Sequence, residues 1–424
     1  MNTLSRRHFL TGSGAAWLAL RGNRAWATEN VLRVYVGCYT NASGENVPTD
    51  FGTHRGPADL SRGLYTFTFD TRTGQAGDIS LAVACSNPVN LIAHTNKRFI
   101  YACRGQSTRI DGQNIITAYA VQTDGKLKEL NTVRSGGGGP TVGVVDQAGQ
   151  NLLTTNFSTN SIVCFRLNKD GSLGERSTMI GKEPSGEIPN AMPPGSSIGM
   201  QTGGPSGPPN TGNSGDSDRT KPHAIVLSKT ERFAIASEIS ANRCHVLRFD
   251  ASKGTLVTHQ LAEDTTRSGP RHLAWHPSYQ YLYTSGEENS SVTAWAWDEV
   301  KGELKPLQNV STLQAGFTDN NNPADVVVHP SGQFVYVTNR GAGTLAGFRI
   351  EQSTGKLTSI GHVELGSPAC WGMLFDPTGQ WALAAAQIGD AIIAYRVDPQ
   401  TGKLTATGQT LKTVLPSCLR WAQA

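Results

Sequence analysis

The chain carries little charge and no imbalance of it in its body. Asp, Glu, Lys and Arg make up 17% of its 424 residues, with a formal net charge of +4. The first 27 residues hold four arginines and no carboxylate, and taking those four from the 37 basic residues leaves 33 against 33 acidic. A neutral body offers no electrostatic footprint for nucleic acid or for an anionic membrane. The seven cysteines (Cys38, Cys85, Cys103, Cys164, Cys244, Cys370, Cys418) are scattered through apolar strand-like runs with no C-x-x-C spacing. That scatter favours core thiols over a zinc site, and the odd number leaves at least one thiol without an intramolecular partner. No glycine fingerprint stands between a strand and a helix, so a nucleotide site is not indicated. The run Ser135 to Pro140 (SGGGGP) precedes an apolar strand and reads as a turn. Sustained helical periodicity is absent, and past the N-terminus no apolar run reaches transmembrane length.

What is abundant is glycine, with 47 residues, and proline, with 21. Frequent turns over a 38% hydrophobic chain predict an all-β protein. Residues 1–27 read as an address: paired arginines in Ser5 to Leu10 (SRRHFL), a modest apolar run, and Ala25-Trp26-Ala27 as a cleavage site. Arg21 and Arg24 ahead of that site oppose ordinary secretion. The expectation is a twin-arginine signal, with the twin-arginine export machinery as partner, a periplasmic destination, and no membrane attachment after cleavage; the alternative is an uncleaved membrane anchor.

Self-similarity decides the architecture. A polar turn ending in glycine recurs at Gly74, Gly125, Gly171, Gly254, Gly302, Gly355 and Gly402, with spacings of 51, 46, 83, 48, 53 and 47 residues. A proline ahead of an apolar run recurs at Pro88, Pro140, Pro222, Pro270, Pro323, Pro368 and Pro416, spaced by 52, 82, 48, 53, 45 and 48. Both markers give seven units of about four strands each, the size of a propeller blade. The prediction is a seven-bladed β-propeller over residues 28–424, with N- and C-terminal strands sharing a blade so that no edge is left open. The long gap holds residues 183–220, rich in Gly, Pro and Ser, which read as a mobile loop ahead of His223, either a lid or an insertion without function.

In such a ring, residues just after each marker proline and at the end of each second strand crowd the opening of the central channel. The polar ones are Asn90, His223, Arg271 and Asp325 in the first group, and Arg104, Asn156, Glu238, Glu287 and Arg340 in the second. Arginines, a histidine and a carboxylate round a concave mouth suit a substrate that is anionic or forms an oxyanion. The plainer reading is that Arg271 and Arg340 pair with Glu287 or Glu238 and tie blades together.

At these residues the chain resembles the seven-bladed propeller lactonases, a family that includes propeller-type 6-phosphogluconolactonases and carboxymuconate cyclases. The resemblance rests on VYVGCYT near the start, KPHAI around His223, GPRHLAWHPSYQYLYTSGEENSSV with Arg271 and Glu287, HPSGQFVYVTNRGAGTLAGF with Asn339 and Arg340, and FDPTGQWALAAAQIGD with Gln387. It implies a catalytic cluster of His223, Arg271, Glu287 and Arg340, no metal and no cofactor. Asn90, Asn156, Glu238, Asp325, Asn339 and Gln387 are expected as substrate-binding residues. Three positions depart from the family pattern: Ile225 replaces a second histidine, Arg104 stands where a carboxylate is usual, and Pro368-Ala369-Cys370 replaces a Pro-Arg pair. The implied activity is hydrolysis of a sugar lactone or related lactone, with a cyclase-type isomerase or a non-catalytic binding propeller as alternatives. A periplasmic address favours an unphosphorylated lactone.

Overall fold

The computed structural model describes residues 30–40, 47–49, 52–54, 61–105, 114–181 and 221–422. Residues 1–27, where an export signal is expected, and residues 183–220, where a mobile loop is expected, lie outside these residues.

The described chain contains no helix and folds into seven antiparallel sheets arranged as blades of a ring. Both ends of the chain build blade 1, with Pro416–Ala422 innermost, then Val31–Cys38 and Gly63–Asp70, which carries Gln75–Ala76 and Ser80–Ala84 on its outer side. The remaining blades each run outward in chain order. Their innermost and second strands are Pro88–Ala93 and Phe99–Arg104 in blade 2, Val144–Val145 and Asn151–Asn156 in blade 3, and Pro222–Leu227 and Phe233–Glu238 in blade 4. In blade 5 they are Pro270–Trp275 and Tyr281–Gly286, in blade 6 Asn322–Val328 and Phe334–Arg340, and in blade 7 Cys370–Phe375 and Trp381–Ala386. Innermost strands of successive blades touch all the way round, through Pro416–Ala422. A small hairpin of Val47–Thr49 and Gly52–His54, which the repeat does not predict, interrupts blade 1.

The glycine turn that exposes the repeat in the sequence is also what docks the blades. All seven glycines have φ between 67° and 84°, a left-handed region that side chains disfavour. Each turn also lies against the preceding blade. A methyl at Gly302 would sit 2.3 Å from the Phe233 ring, and one at Gly355 would sit 2.3 Å from Tyr281. Second-strand tyrosines then donate to the turn carbonyls of the next blade: Tyr35 to Gly125, Tyr101 to Gly171 and Tyr283 to Gly355, each at 3.0 Å, and Tyr336 to Gly402. At the seam Trp381 Nε1 donates to the Thr71 carbonyl at 2.8 Å. Histidines make a second series of latches, His276 to the Gly332 carbonyl and His329 to the Gly379 carbonyl, at 2.9 and 2.8 Å.

Alternating strands bury one apolar row on each face, and blades stack face to face. Seven apolar clusters result, one at each blade interface. Ile235, Val246, Leu282 and Trp295 fill the one between blades 4 and 5.

Candidate active site

In every blade the pairing of innermost and second strands slips by one residue just after the inner strand enters. In blade 4 Pro222 pairs with Glu238 but Ala224 with Ser237, which leaves His223 as the extra residue. The same slip falls on Ser417, Val89, Ala324–Asp325 and Trp371 in blades 1, 2, 6 and 7, between Pro140 and Val144 in blade 3, and on Arg271–His272 in blade 5. Such bulges re-aim side chains that a regular ladder would send to a sheet face. Here they bring His223, Arg271, His272 and Trp371 together, next to Glu287 and Arg340 at the ends of the second strands.

Glu287 is clasped between two guanidiniums. Its Oε2 lies 2.6 Å from Arg271 Nε and its Oε1 lies 3.2 Å from Arg340 Nη2. Arg271 Nη1 donates to the Ala324 carbonyl at 3.1 Å, and Arg340 Nε donates to the Asn322 carbonyl at 3.0 Å. Both arginines pack on Trp371, with guanidinium carbons 5.3 and 4.7 Å from its ring centroid, and Tyr39 meets that ring edge-on at 5.5 Å. The arginines are 2% and 1% exposed; the Glu287 side chain keeps 23%, but the Oε2 that meets Arg271 is itself covered.

Burial alone would raise the Glu287 carboxyl, but the Arg340 and Arg271 guanidiniums outweigh it and hold it below the usual carboxylate range. Glu287 is therefore ionised and a weak base. Burial pushes the His223 imidazole well below its ordinary value, and Arg271, His272 and Arg340 push it further. Its ring stands 5.5 Å from Phe157 and 5.2 Å from His272, and its buried Nδ1 has no hydrogen-bond partner among the described residues. A neutral imidazole with an idle nitrogen can accept a proton, and the two cations beside it weaken it as a base.

Of the residues expected from sequence, His223, Arg271, Glu287 and Arg340 come together, with Asp325 next to them. Asp325 does not face outward. Its Oδ1 lies 2.9 Å from His272 Nδ1 and its Oδ2 accepts from the Met373 amide at 3.1 Å. Asn156, Glu238, Asn339 and Arg104 turn away. Each occupies the second-strand position paired with the marker proline, one residue before the Glu287 and Arg340 position. A shift of one residue exchanges strand faces. Asn339 spends its side chain on Thr312, Thr344 and Asn321, and Asn156 donates to the Ser135 carbonyl and to Ser161. Glu238 is held by Arg243 and His245 at 2.9 and 2.6 Å, and Arg104 by Ser86 and Thr117. Gln387 does share the register of Glu287 and Arg340, following Ala386, and its buried Oε1 has no hydrogen-bond partner among the described residues. Asn90 follows the bulge of blade 2, opposite Cys103, and is half-buried. Ile225 belongs to the apolar core between blades 3 and 4.

Sequence reasoning passed over His272 and Trp371. The first stands beside Arg271 in the same bulge. The second was hidden because Cys370, not Pro368, is the residue of blade 7 that pairs like the other marker prolines, opposite Ala386. Among the described residues no three His, Cys, Asp or Glu side chains gather as a metal-binding group.

Over residues 33–421 the sequence matches a protein family described as lactonase, 7-bladed beta-propeller. It is 26% identical to the 6-phosphogluconolactonase of Bacillus subtilis (strain 168) over 332 residues, covering 78% of this chain and 80% of that one. The 6-phosphogluconolactonase of Pectobacterium carotovorum is 27% identical over 295 residues, or 68% and 75% of the two chains. Among solved structures, the periplasmic gluconolactonase of Pseudomonas aeruginosa superposes with a TM-score of 0.75 at 22% identity, over 92% of this chain and 99% of that one, a likeness of fold.

Proposed function

The chain belongs to the seven-bladed β-propeller lactonases, and on that footing we propose that it hydrolyses a lactone where the Glu287 clasp meets the opening of the central channel. The observation that carries this reading is one carboxylate bridging two buried arginines beside an imidazole held well below its ordinary value, whose Nδ1 has no hydrogen-bond partner among the described residues. The lactone carbonyl lies toward Arg271 and Arg340. His223 takes a proton from water as the water oxygen attacks the carbonyl carbon, and the guanidiniums stabilise the oxyanion. Each well-placed donor is worth about 3 kcal/mol. The ring C–O bond then breaks, and the leaving oxygen takes the proton back from His223. Glu287, already engaged by both arginines, holds them in place. No metal enters any step. The product hydroxy acid ionises, so turnover releases one proton.

Paired arginines in Ser5 to Leu10 support twin-arginine export to the periplasm, and with it an unphosphorylated sugar lactone as substrate. Purified protein without residues 1–27, offered a panel of lactones in a pH-indicator assay, should acidify the medium. Arg271→Ala and Arg340→Ala should each lower that rate at least about tenfold. Unchanged rates in both variants would end this reading.

A further inference from the structure

One buried acid and one imidazole beside the clasp have no part in the chemistry above. Asp325 and His272 sit on adjacent innermost strands, in neighbouring bulges, and both side chains are largely covered, at 16% and 12% exposure. His272 Nδ1 faces Asp325 Oδ1 at 2.9 Å, while its Nε2 faces Arg271 Nη1 at 3.0 Å. A guanidinium can only donate. The Nε2 next to it must therefore be the bare nitrogen, and Nδ1 carries the hydrogen that Asp325 accepts. This one tautomer satisfies both contacts.

We propose that Asp325 and His272 form a positioning relay for Arg271: the carboxylate fixes the imidazole as its Nδ1–H tautomer, and the bare Nε2 fixes the guanidinium by accepting from Nη1. The other Nη1 hydrogen goes to the Ala324 carbonyl, Nε faces Glu287 and the Trp371 ring lies against the guanidinium, so His272 acts with these neighbours to set the plane that the lactone meets. Asp325 is itself anchored by the Met373 amide of blade 7, so the relay ties blades 5, 6 and 7 to one orientation. A second proton on His272 would put an N–H where Arg271 needs an acceptor, and would set two cations side by side. The charged or titratable groups around His272 are Arg271, Asp325, Arg420, His223 and Glu287. Burial and Arg271 hold its affinity for that proton below the ordinary value while Asp325 works the other way, and His223 is depressed further.

The relay rests on the proposed lactonase reaction only for its kinetic effect, and its geometry is tested without turnover. In selectively 15N-labelled protein near neutral pH, the His272 resonance, identified by its loss in His272→Gln, should report a protonated Nδ1 and a bare Nε2. A protonated Nε2 or an imidazolium would overturn the relay whether or not any lactone is hydrolysed. For kinetics, His272→Leu should lower kcat about a hundredfold, the scale of a lost oxyanion donor, with little change in KM. His272→Gln, whose amide oxygen reaches the Nε2 position, should recover much of that loss and hold activity to lower pH than the wild type. Asp325→Asn removes the charge that favours imidazolium and should also move the acid limb to lower pH. If both variants keep the wild-type acid limb, the relay is refuted. If no lactone is turned over, the reaction fails and the tautomer still decides the relay.

Discussion

Arg340 ends an apolar strand on a guanidinium because its side chain meets the Glu287 carboxylate that it shares with Arg271. Two arginines that are 2% exposed or less are tolerable because Glu287, two backbone carbonyls, His272 and the Trp371 ring meet them. Glu287→Gln keeps the shape and removes the charge, so it should lower the melting free energy by at least about 2 kcal/mol, measured by urea denaturation near neutral pH. The same variant should lose part of the acid sensitivity. A carboxyl held below its unfolded value contributes stability above the usual carboxylate range, and that contribution disappears as pH falls through the lowered value. The cysteines were legible as core thiols: six are buried, Cys85 is half-buried, and all seven are free. Burial pushes the Cys38 thiol up to about 12. Thiol titration should accordingly be slow on native protein and reach seven after denaturation. Glu238 was not legible as a residue facing away, since its type suited the site and only strand register tells its face.

At the scale of the strand and turn, the repeat could be read because it is a steric requirement. Gly355 must have φ near 71° and leaves no room for a methyl beside Tyr281, while Tyr283 caps the same turn through its hydroxyl. Gly355→Ala should cost about 2 kcal/mol or more, and Tyr283→Phe, which strips the Gly355 carbonyl of its donor, about 1 kcal/mol. Chemical denaturation measures both. Strand register was harder to read. The second-strand tyrosines Tyr101, Tyr283 and Tyr336 align the blades and place Glu287, Arg340 and Gln387 at one position, whereas counting back from the strand end put Arg104, Asn156 and Glu238 beside them. The bulge after each marker proline leaves no mark in composition, and for that reason His272 and Trp371 emerged only from the fold.

For the molecule as a whole, the count of seven and the shared blade followed from spacing alone, because a ring closes only if the last innermost strand finds a second strand from the other end. Pro416–Ala422 does so along Val31–Cys38. A chain ending at Leu415 should therefore fail to give soluble folded protein, as judged by expression and size-exclusion chromatography, because blade 1 would expose an apolar edge. The ring also sets a pH limit. His94, His223, His272, His276 and His329 are each held below the ordinary histidine value, chiefly by burial. In the unfolded chain they take up protons near pH 6.5, which the folded ring resists, so stability is full above that value and declines as pH falls below it. Melting temperatures recorded from pH 8 down to 5 should show this decline. Substituting Gln for His329, which latches blade 6 to Gly379, should make the decline shallower at the cost of a lower plateau.

The one-residue slip that every blade makes has an implication for how such a molecule diversifies. It supplies a position in each blade, just after the innermost strand enters, where the side chain is set by the slip rather than by the ladder. His223, Arg271 and Trp371 populate three of these positions, while Val89 and Ala324 are apolar plugs. New selectivity can then be installed by swapping a plug for a polar side chain, with the barrel of sheets behind it left untouched.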